Sequence, residues 1–246
     1  AVEPLVNYAS KYRGMYNDQV RCPLVVRAAM GGGRGYGPTH SQSLEKLLLG
    51  IPDLRVVALS VAHDPQALLF ECVEDDSPVL LVENKLVYSR PLLDLSDQQW
   101  GPFSIQSSPG PYPTLVFSGN DFRFSDGVLA TYGGNLEMAL EVSRQLLEEH
   151  ELSLEVVAFS LLYPPPLDML QAALERARGR LITLEEAALG GGWGSEIIAR
   201  GCEQGWIRKA RRLGARESVI PSARSLEEEV LPGPSELRRL ALEVMT

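Results

Sequence analysis

Short apolar runs alternate with amphipathic segments along the first ninety residues of the chain. Each apolar run is continuous, which is typical of strands buried on both faces of a parallel sheet. The predicted strands are residues 23–28, 55–60 and 78–83. The predicted helices are residues 43–49 and 64–74. The pattern therefore predicts an α/β unit in which helices cover a parallel sheet.

The pattern lapses from Pro91 to Tyr112, where proline, serine, glycine and glutamine indicate a linker. A second alternating run follows. Its predicted strands are residues 128–132, 154–160 and 181–184, and its predicted helices are residues 135–149, 167–177, a segment from Ser195 onward, and 237–244. We therefore predict an α/β fold of two three-layer units. The first unit covers residues 1–92, the linker 93–112 and the second unit 113–246.

Charge and cysteine usage exclude several classes of function. The formal net charge is −9, whereas nucleic-acid binding needs a basic surface. A basic run at residues 208–212 has no interleaved aromatic residues, so we interpret it as a solvated or subunit-facing surface. Cys22, Cys72 and Cys202 have neither a disulfide framework nor zinc-ligand spacing. No apolar stretch is long enough to span a membrane, so we expect neither a nucleic-acid nor a membrane partner.

The most distinctive candidate for chemistry is His40, in the run Gly35-Tyr36-Gly37-Pro38-Thr39-His40-Ser41-Gln42-Ser43-Leu44-Glu45. It follows a glycine-rich loop and precedes a predicted helix. An imidazole titrates near physiological pH and can exchange protons in a cleft. The alternative is a histidine that only satisfies a backbone carbonyl at a helix start. The glycine-rich stretches 31–37 and 190–194 lack a phosphate-loop ending, so we assign them no ligand.

Ordered motifs run through both units. The first unit contains Tyr8-Ala9-Ser10-Lys11-Tyr12-Arg13, His40-Ser41-Gln42-Ser43 and Glu83-Asn84-Lys85-Leu86-Val87-Tyr88. The second contains Thr131-Tyr132-Gly133-Gly134, then Glu185-Glu186 followed by Gly191-Gly192-Trp193-Gly194-Ser195-Glu196, and Ile220-Pro221-Ser222-Ala223. In their order and spacing these motifs resemble the E1 β-subunit of thiamine-diphosphate-dependent 2-oxo acid dehydrogenases, a branch of the transketolase superfamily.

The resemblance implies a fold, a reaction and partners. The fold is a partial parallel-sheet pyrimidine-binding domain followed by a transketolase-type C-terminal domain. The reaction is oxidative decarboxylation of a 2-oxo acid, with acyl transfer to a lipoyl-bearing E2 acyltransferase. Thiamine diphosphate and Mg²⁺ are shared with an α-type E1 subunit in an α2β2-type hetero-oligomer. We expect this enzyme to be in the cytoplasm, or in the mitochondrial matrix of a eukaryote.

The family's β-subunit has a half-domain that precedes the part matched here. That half-domain supplies the glutamate that binds the cofactor's aminopyrimidine ring. It is not part of this sequence, so we expect the chain alone to be inactive.

The resemblance also assigns residues. His40 is the predicted catalytic residue, facing the thiazolium side of the cofactor near the substrate or the incoming lipoyl group. Leu24, Cys72, Asp75 and Ser77 match positions where some family members hold a monovalent cation such as K⁺. Oxygen ligands suit a hard cation, but the alternative is a solvated acidic helix end.

Two other functions stay open. One is a different transketolase-superfamily enzyme, such as a ketol transferase or a deoxyxylulose-phosphate synthase, although Ser41-Gln42-Ser43 and Gly192–Glu196 favour the dehydrogenase. The other is a non-catalytic assembly module. The acidic run Glu227-Glu228-Glu229 is interpreted as solvated, or as a contact for the basic subunit-binding domain of E2.

Overall fold

The computed structural model describes residues 2–245, and its first sheet has four strands. They are β1 (Val25–Met30), β2 (Arg55–Leu59), β3 (Val79–Asn84) and β9 (Leu161–Tyr163). The spatial order is β1-β3-β2-β9. The first three strands are parallel, whereas β9 runs antiparallel to β2. All of β3 is buried, which explains the continuous apolar run at its start.

The second sheet has seven strands. They are β4 (Gln99–Trp100), β5 (Phe103–Ser107), β6 (Leu115–Ser118), β7 (Gly127–Tyr132), β8 (Leu154–Phe159), β10 (Arg180–Ala188) and β11 (Lys209–Ala215). The spatial order is β11-β10-β7-β8-β6-β5-β4. The four strands from β11 to β8 are parallel, and the remaining three are antiparallel.

Helices connect these strands. They are α1 (Val2–Asn7), α2 (Tyr12–Met15), α3 (Pro65–Glu74), α4 (Leu136–His150), α5 (Asp168–Arg176), α6 (Trp193–Glu203), α7 (Arg224–Val230) and α8 (Pro234–Met245). α3 begins at Asp64, whose carboxylate accepts hydrogen bonds from the backbone N–H groups of Gln66 and Ala67. Within residues 2–245, every helix is too short or too polar to cross a lipid bilayer. The predicted α/β fold is confirmed.

The predicted linker contains regular structure. Residues 93–112 include β4 and β5, and β5 pairs with β6 in the second sheet. Phe103 and Ile105 are buried and alternate with Ser104 and Gln106, which is the period-two pattern of a strand with one buried face. The segment is therefore partly built into the second sheet, while the division into domains stays a prediction.

Two predicted elements change length. The helix expected at residues 43–49 is a 3-10 turn, Glu45–Leu48, because the backbone is already extended at Leu49 and turns at Gly50 with φ +81°. The strand expected at residues 181–184 continues to Ala188 as β10. The predicted strand stopped before Glu185 and Glu186, because acidic residues are typical of a strand end. In the structure Glu185 is buried inside β10, so the strand runs past both acids.

The two sheets share one apolar core. Val56 on β2 and Val128 on β7 belong to the same buried cluster. Trp193 at the start of α6 is 1% exposed. Its ring packs edge-on against Tyr132 and Phe159, each with 5.1 Å between centroids. The junction between the sheets is therefore closely packed, and polar side chains that enter it are held in fixed positions.

Candidate active site

His40 lies on a long connection that leaves the carboxyl end of β1. We call residues 31–48 the His40 segment. His40 is exposed in a turn, and its backbone carbonyl accepts a hydrogen bond from the Lys85 ammonium group. Its imidazole makes no hydrogen bond to any part of the chain within residues 2–245. An exposed imidazole on a held backbone is suited to exchanging a proton with a bound molecule.

A cleft of about 650 Å³ opens beside this turn. One wall is formed by Pro38, Gln42 and Ser43, and the opposite wall by Glu186 and the loop 215–220. Pro38 and Gln42 flank His40 in the chain, although the imidazole itself does not line the cleft. The cleft therefore has one wall from each predicted unit.

Glu186 on β10 is one of two carboxylates that line this cleft, and Glu217 is the other. Glu186 accepts hydrogen bonds from Asn84 Nδ2 at 2.7 Å, the Gly134 backbone N–H at 2.9 Å and the Ser43 hydroxyl at 3.2 Å. It also lines a second cleft of about 440 Å³, together with Asn84 and Gly134. Burial, followed by the nearby Glu45 carboxyl, raises the pKa of Glu186 to about 7, against the effect of these donors.

Glu45 brings a second carboxyl into the junction. It is 1% exposed, and it accepts a hydrogen bond from the Tyr132 hydroxyl. Burial raises the pKa of Glu45, although the bond from Tyr132 opposes the shift. Burial, and then the charge of Glu45, raises the pKa of Tyr132, so the phenol stays protonated and acts as the donor.

Glu185 is the third carboxyl, and it points away from Glu186 because neighbouring residues on a strand face opposite sides. It is fully buried, and it accepts a hydrogen bond from the Gly194 backbone N–H at 3.3 Å. Burial raises the pKa of Glu185 to about 7, opposed by the Gly194 bond. Glu185 and Glu186, each with a pKa of about 7, can therefore gain or lose protons near neutral pH, and Glu45 is a third buried acid with a raised pKa.

The glycine-rich stretches lie where these acids approach the backbone. A Cβ on Gly31 or Gly134 would overlap the Asn84 side chain, and one on Gly192 would overlap Glu185. Gly31 also has φ +93°, a conformation that other residues rarely adopt. Gly31 and Gly134 therefore allow the backbone to pack closely against Asn84 and Glu186, and Gly192 allows it to pack against Glu185.

The residues predicted to hold a monovalent cation lie just before β1 and β3 and in α3, at the amino ends of the strands, whereas the His40 segment leaves the carboxyl end of β1. Asp75 accepts hydrogen bonds from the Ser77 backbone N–H at 2.9 Å and the Tyr112 hydroxyl at 3.0 Å, and it forms an ion pair with Arg55. Cys72 is buried, which raises the pKa of its thiol to about 11. The carbonyl of Leu24 accepts the Val79 N–H at 2.8 Å.

The Asp75 carboxylate and the Leu24 carbonyl are therefore bonded to protein donors, and cation binding there stays a prediction. Within residues 2–245, no three side chains of His, Cys, Asp or Glu are grouped so as to hold a metal ion.

Glu227 corrects the interpretation of the acidic run as wholly solvated. Glu228 and Glu229 are exposed, but Glu227 is fully buried. Its Oε2 atom accepts a hydrogen bond from the Gly35 backbone N–H at 2.7 Å. The helical period of α7 turns this one carboxylate inward, onto the His40 segment.

Several side chains at the junction were not assigned a role from sequence. They are Glu45, Asn84, Tyr132, Glu185, Glu186 and Glu227. Asn84, Tyr132, Glu185 and Glu186 fall within motifs that carried the resemblance, but nothing in those motifs says which unit each side chain faces. The available signal was Glu185-Glu186 itself, two acids inside an otherwise apolar strand.

Comparisons with known proteins agree with this architecture. Residues 125–237 match the family described as transketolase, C-terminal domain. The matched residues lie within the second predicted unit. The whole chain also superimposes on a solved structure of a split gene transketolase, described as an inactive beta4 tetramer, with TM-score 0.73 and 17% identity, covering 100% of this chain and 72% of that one. That likeness shows the fold.

Curated relatives extend the likeness to the first unit. The β-subunit of acetoin:2,6-dichlorophenolindophenol oxidoreductase from Cupriavidus necator is 27% identical, over 99% of this chain and 69% of the relative. The pyruvate dehydrogenase E1 component β-subunit of Rickettsia bellii is 26% identical, over 94% and 68%. The 3-methyl-2-oxobutanoate dehydrogenase β-subunit of Mycobacterium tuberculosis is 29% identical, over 96% and 65%. The predicted resemblance to E1 β-subunits is confirmed.

Proposed function

We propose that this chain is a β-type subunit of a thiamine-diphosphate-dependent 2-oxo acid dehydrogenase. The observation that carries the proposal is its likeness to β-subunits over 94–100% of its length, which includes the exposed His40 and the cleft beside it. The enzyme would decarboxylate a 2-oxo acid and transfer the acyl group to lipoyl-E2, in the cytoplasm or in a mitochondrial matrix.

The proposal divides the cofactor between two subunits. Thiamine diphosphate, when bound, supplies the carbon centre that stabilises negative charge after CO₂ leaves. We assign the Mg²⁺ and the diphosphate to an α-type subunit, in an α2β2-type assembly. The exposed, unpaired imidazole of His40 fits the substrate-facing side of that cofactor, because nothing within residues 2–245 competes for its nitrogen atoms.

His40 would act in the transfer to lipoamide. The lipoyl disulfide would be the oxidant: its S–S bond would break as one sulfur bonds to the acyl carbon, and the other sulfur would leave as a thiolate. The acyl carbon's bond to the cofactor would then break, with the electron pair remaining on the cofactor. The His40 imidazolium donates a proton to that thiolate and is later reprotonated from water. Positioned acid–base groups of this kind contribute about 10²–10⁴-fold to a rate.

The test uses the complete enzyme assembled with its α-type partner. His40→Ala should lower acylation of a lipoyl domain on the order of 10²-fold or more, while 2-oxo-acid-dependent reduction of an artificial dye is largely kept. His150→Ala is the matched control, since His150 is also exposed but lies at the end of α4 in the second unit. A His40→Ala enzyme that acylates the lipoyl domain at the wild-type rate would remove the assignment.

One observation favours a second candidate. The fold neighbour is a transketolase, so a ketol transfer between sugar phosphates is the competing reaction. The same assembled enzyme should be assayed with a ketose phosphate donor and an aldose phosphate acceptor. Turnover with that pair, and none with 2-oxo acids, would replace the dehydrogenase proposal.

A further inference from the structure

The His40 segment belongs to the first unit by sequence, but side chains anchor it to the second. The Gly35 N–H binds Glu227, the Ser43 hydroxyl binds Glu186, and Glu45 accepts from the Tyr132 hydroxyl. Lys46 Nζ donates to the carbonyl oxygens of Ala188 at 2.9 Å and Gly190 at 2.8 Å. The second unit therefore holds the segment on both sides of His40.

The Glu227 anchor is the one that precedes His40. A buried carboxylate is costly unless hydrogen bonds compensate it, and a bond from a backbone N–H to a carboxylate is among the stronger ones. The Gly35–Glu227 bond, at 2.7 Å, is of this kind. Gly35 has φ +70° and packs against the Ser222 carbonyl, so the segment reaches Glu227 through a backbone shape that glycine allows.

The loop before His40 also packs directly on α7 and the residue after it. A Cβ on Gly32 would meet Leu231 Cδ1 at 2.6 Å and Glu227 Oε1 at 3.3 Å. Gly37 has φ +75°, and a Cβ there would overlap the Ser222 hydroxyl. Gly32 and Gly37 have no room for a side chain on the side that faces α7. The Glu227 carboxylate can therefore reach the backbone of this loop and hold it at Gly35.

We propose that Glu227 is a positioning residue for His40. It binds the backbone N–H five residues before the imidazole, while Glu186 binds the Ser43 hydroxyl three residues after it. The imidazole itself has no hydrogen bond within residues 2–245, so its position is set by the anchors at Gly35 and Ser43 together with the bond from Lys85 to the His40 carbonyl. This inference rests on the proposed function of His40 in acyl transfer. Proton transfer needs heavy atoms about 2.6–3.2 Å apart, and displacement by about 1 Å costs on the order of 10²-fold in rate.

The test compares Glu227→Ala and Glu227→Gln, with Glu229→Gln as the control on the exposed face of α7. Hydrogen exchange of residues 31–44 in the full chain reports the anchor without any assay of activity. Glu227→Ala should raise exchange there about 10-fold or more and leave the buried strand β8 protected. Glu227→Gln should change it less, because the amide oxygen can still accept from Gly35 N–H. Glu229→Gln should match the wild-type chain.

Kinetics in the complete enzyme test the consequence. Glu227→Ala should lower kcat for acylation of the lipoyl domain on the order of 10–10²-fold, with KM for the lipoyl domain and dye reduction nearly unchanged. Glu227→Gln should recover a large part of the rate. A merely structural role would lower transfer and dye reduction together.

The outcomes separate this inference from the proposed function. Unchanged exchange in both Glu227 variants overturns the anchor. Raised exchange with unchanged lipoyl transfer overturns the positioning role. A wild-type enzyme inactive with every 2-oxo acid refutes the proposed function and the kinetic role with it, while the exchange result still decides the anchor. Loss of protection in β8 would mean that Glu227→Ala disturbs the whole fold. Glu227→Gln is then the variant to compare, and its hydrogen exchange in residues 31–44 must exceed that of Glu229→Gln for the anchor to stand.

Discussion

Glu185 makes the stability of this chain depend on pH near neutrality. Its carboxyl is fully buried, and burial raises its pKa from 4.5 to about 7, opposed by the Gly194 hydrogen bond and increased by Glu45. Between these two pH values the folded chain keeps a proton that the unfolded chain has released. The folded state then binds more protons, so the free energy of unfolding falls as pH rises. The contribution of protonated Glu185 to the free energy of unfolding is fully present below pH 4.5 and is lost as the pH rises through about 7.

The magnitude follows from the same two values. One pKa unit corresponds to about 1.4 kcal/mol, so a rise from 4.5 to about 7 amounts to about 3 kcal/mol across that window. Glu185→Gln keeps the size of the side chain and an oxygen that can accept from Gly194, but it cannot ionise. The variant should therefore gain up to about 3 kcal/mol relative to the wild-type chain as the pH is raised from 4.5 to 8.

Urea unfolding at a series of pH values from 5 to 8.5 measures this difference. The slope of the free energy of unfolding against pH should be less negative in Glu185→Gln than in the wild-type chain, by about 1 kcal/mol per pH unit near pH 6. Glu203→Gln, an exposed residue at the end of α6, is the control and should follow the wild-type slope. If Glu185→Gln differs from the wild type by the same amount at every pH, Glu185 does not titrate in this range and the reasoning fails.

Two further substitutions test the packing of the site and of the second sheet. Gly134→Ala places a methyl group into the Asn84 side chain, so it should lower the free energy of unfolding by about 1–3 kcal/mol in thermal or urea unfolding. Gly14→Ala, in α2 with open space around it, is the control and should not destabilise; equal effects would refute the steric account. Arg176→Ala leaves the fully buried Glu155 without its partner at 2.7 Å and should cost about 3–5 kcal/mol, whereas Arg144→Ala on the surface should cost less than about 1 kcal/mol. Equal losses from the two arginines would contradict this difference.

The local pattern predicted much of the fold because its parallel strands are buried on both faces. The strands β2 and β7 and the helix α4 lie close to where continuous apolar runs and helical periodicity placed them. The pattern failed at β9, a three-residue strand that crosses from the second unit to pair with β2 in the first sheet. That pairing is set by the docking of the sheets, which a window of local sequence does not contain.

The candidate site was predicted only in part for a related reason. His40 was identified because a glycine-rich loop, a histidine and polar neighbours are contiguous in the chain. The acids that hold its segment are dispersed: Glu45, Glu186 and Glu227 are 41 or more residues apart in sequence. Glu227 was misread because a run of three glutamates is ordinarily solvated, and only the phase of α7 turns one of them inward.

The junction joins two kinds of interaction that do different things. Apolar contacts such as those of Trp193 stabilise the packing of one sheet on the other, but they are not directional and tolerate small shifts. The hydrogen bonds to Glu45, Glu186 and Glu227 are directional, and those that join the two units are lost if the units slide. Three of them join the His40 segment to the second unit: Gly35 to Glu227, Ser43 to Glu186 and Tyr132 to Glu45. The cost of burying the Glu45 and Glu227 carboxyl groups is therefore offset by hydrogen bonds that also fix the position of the His40 segment against the opposite wall of the cleft. A change in how the two units dock would be felt first at His40.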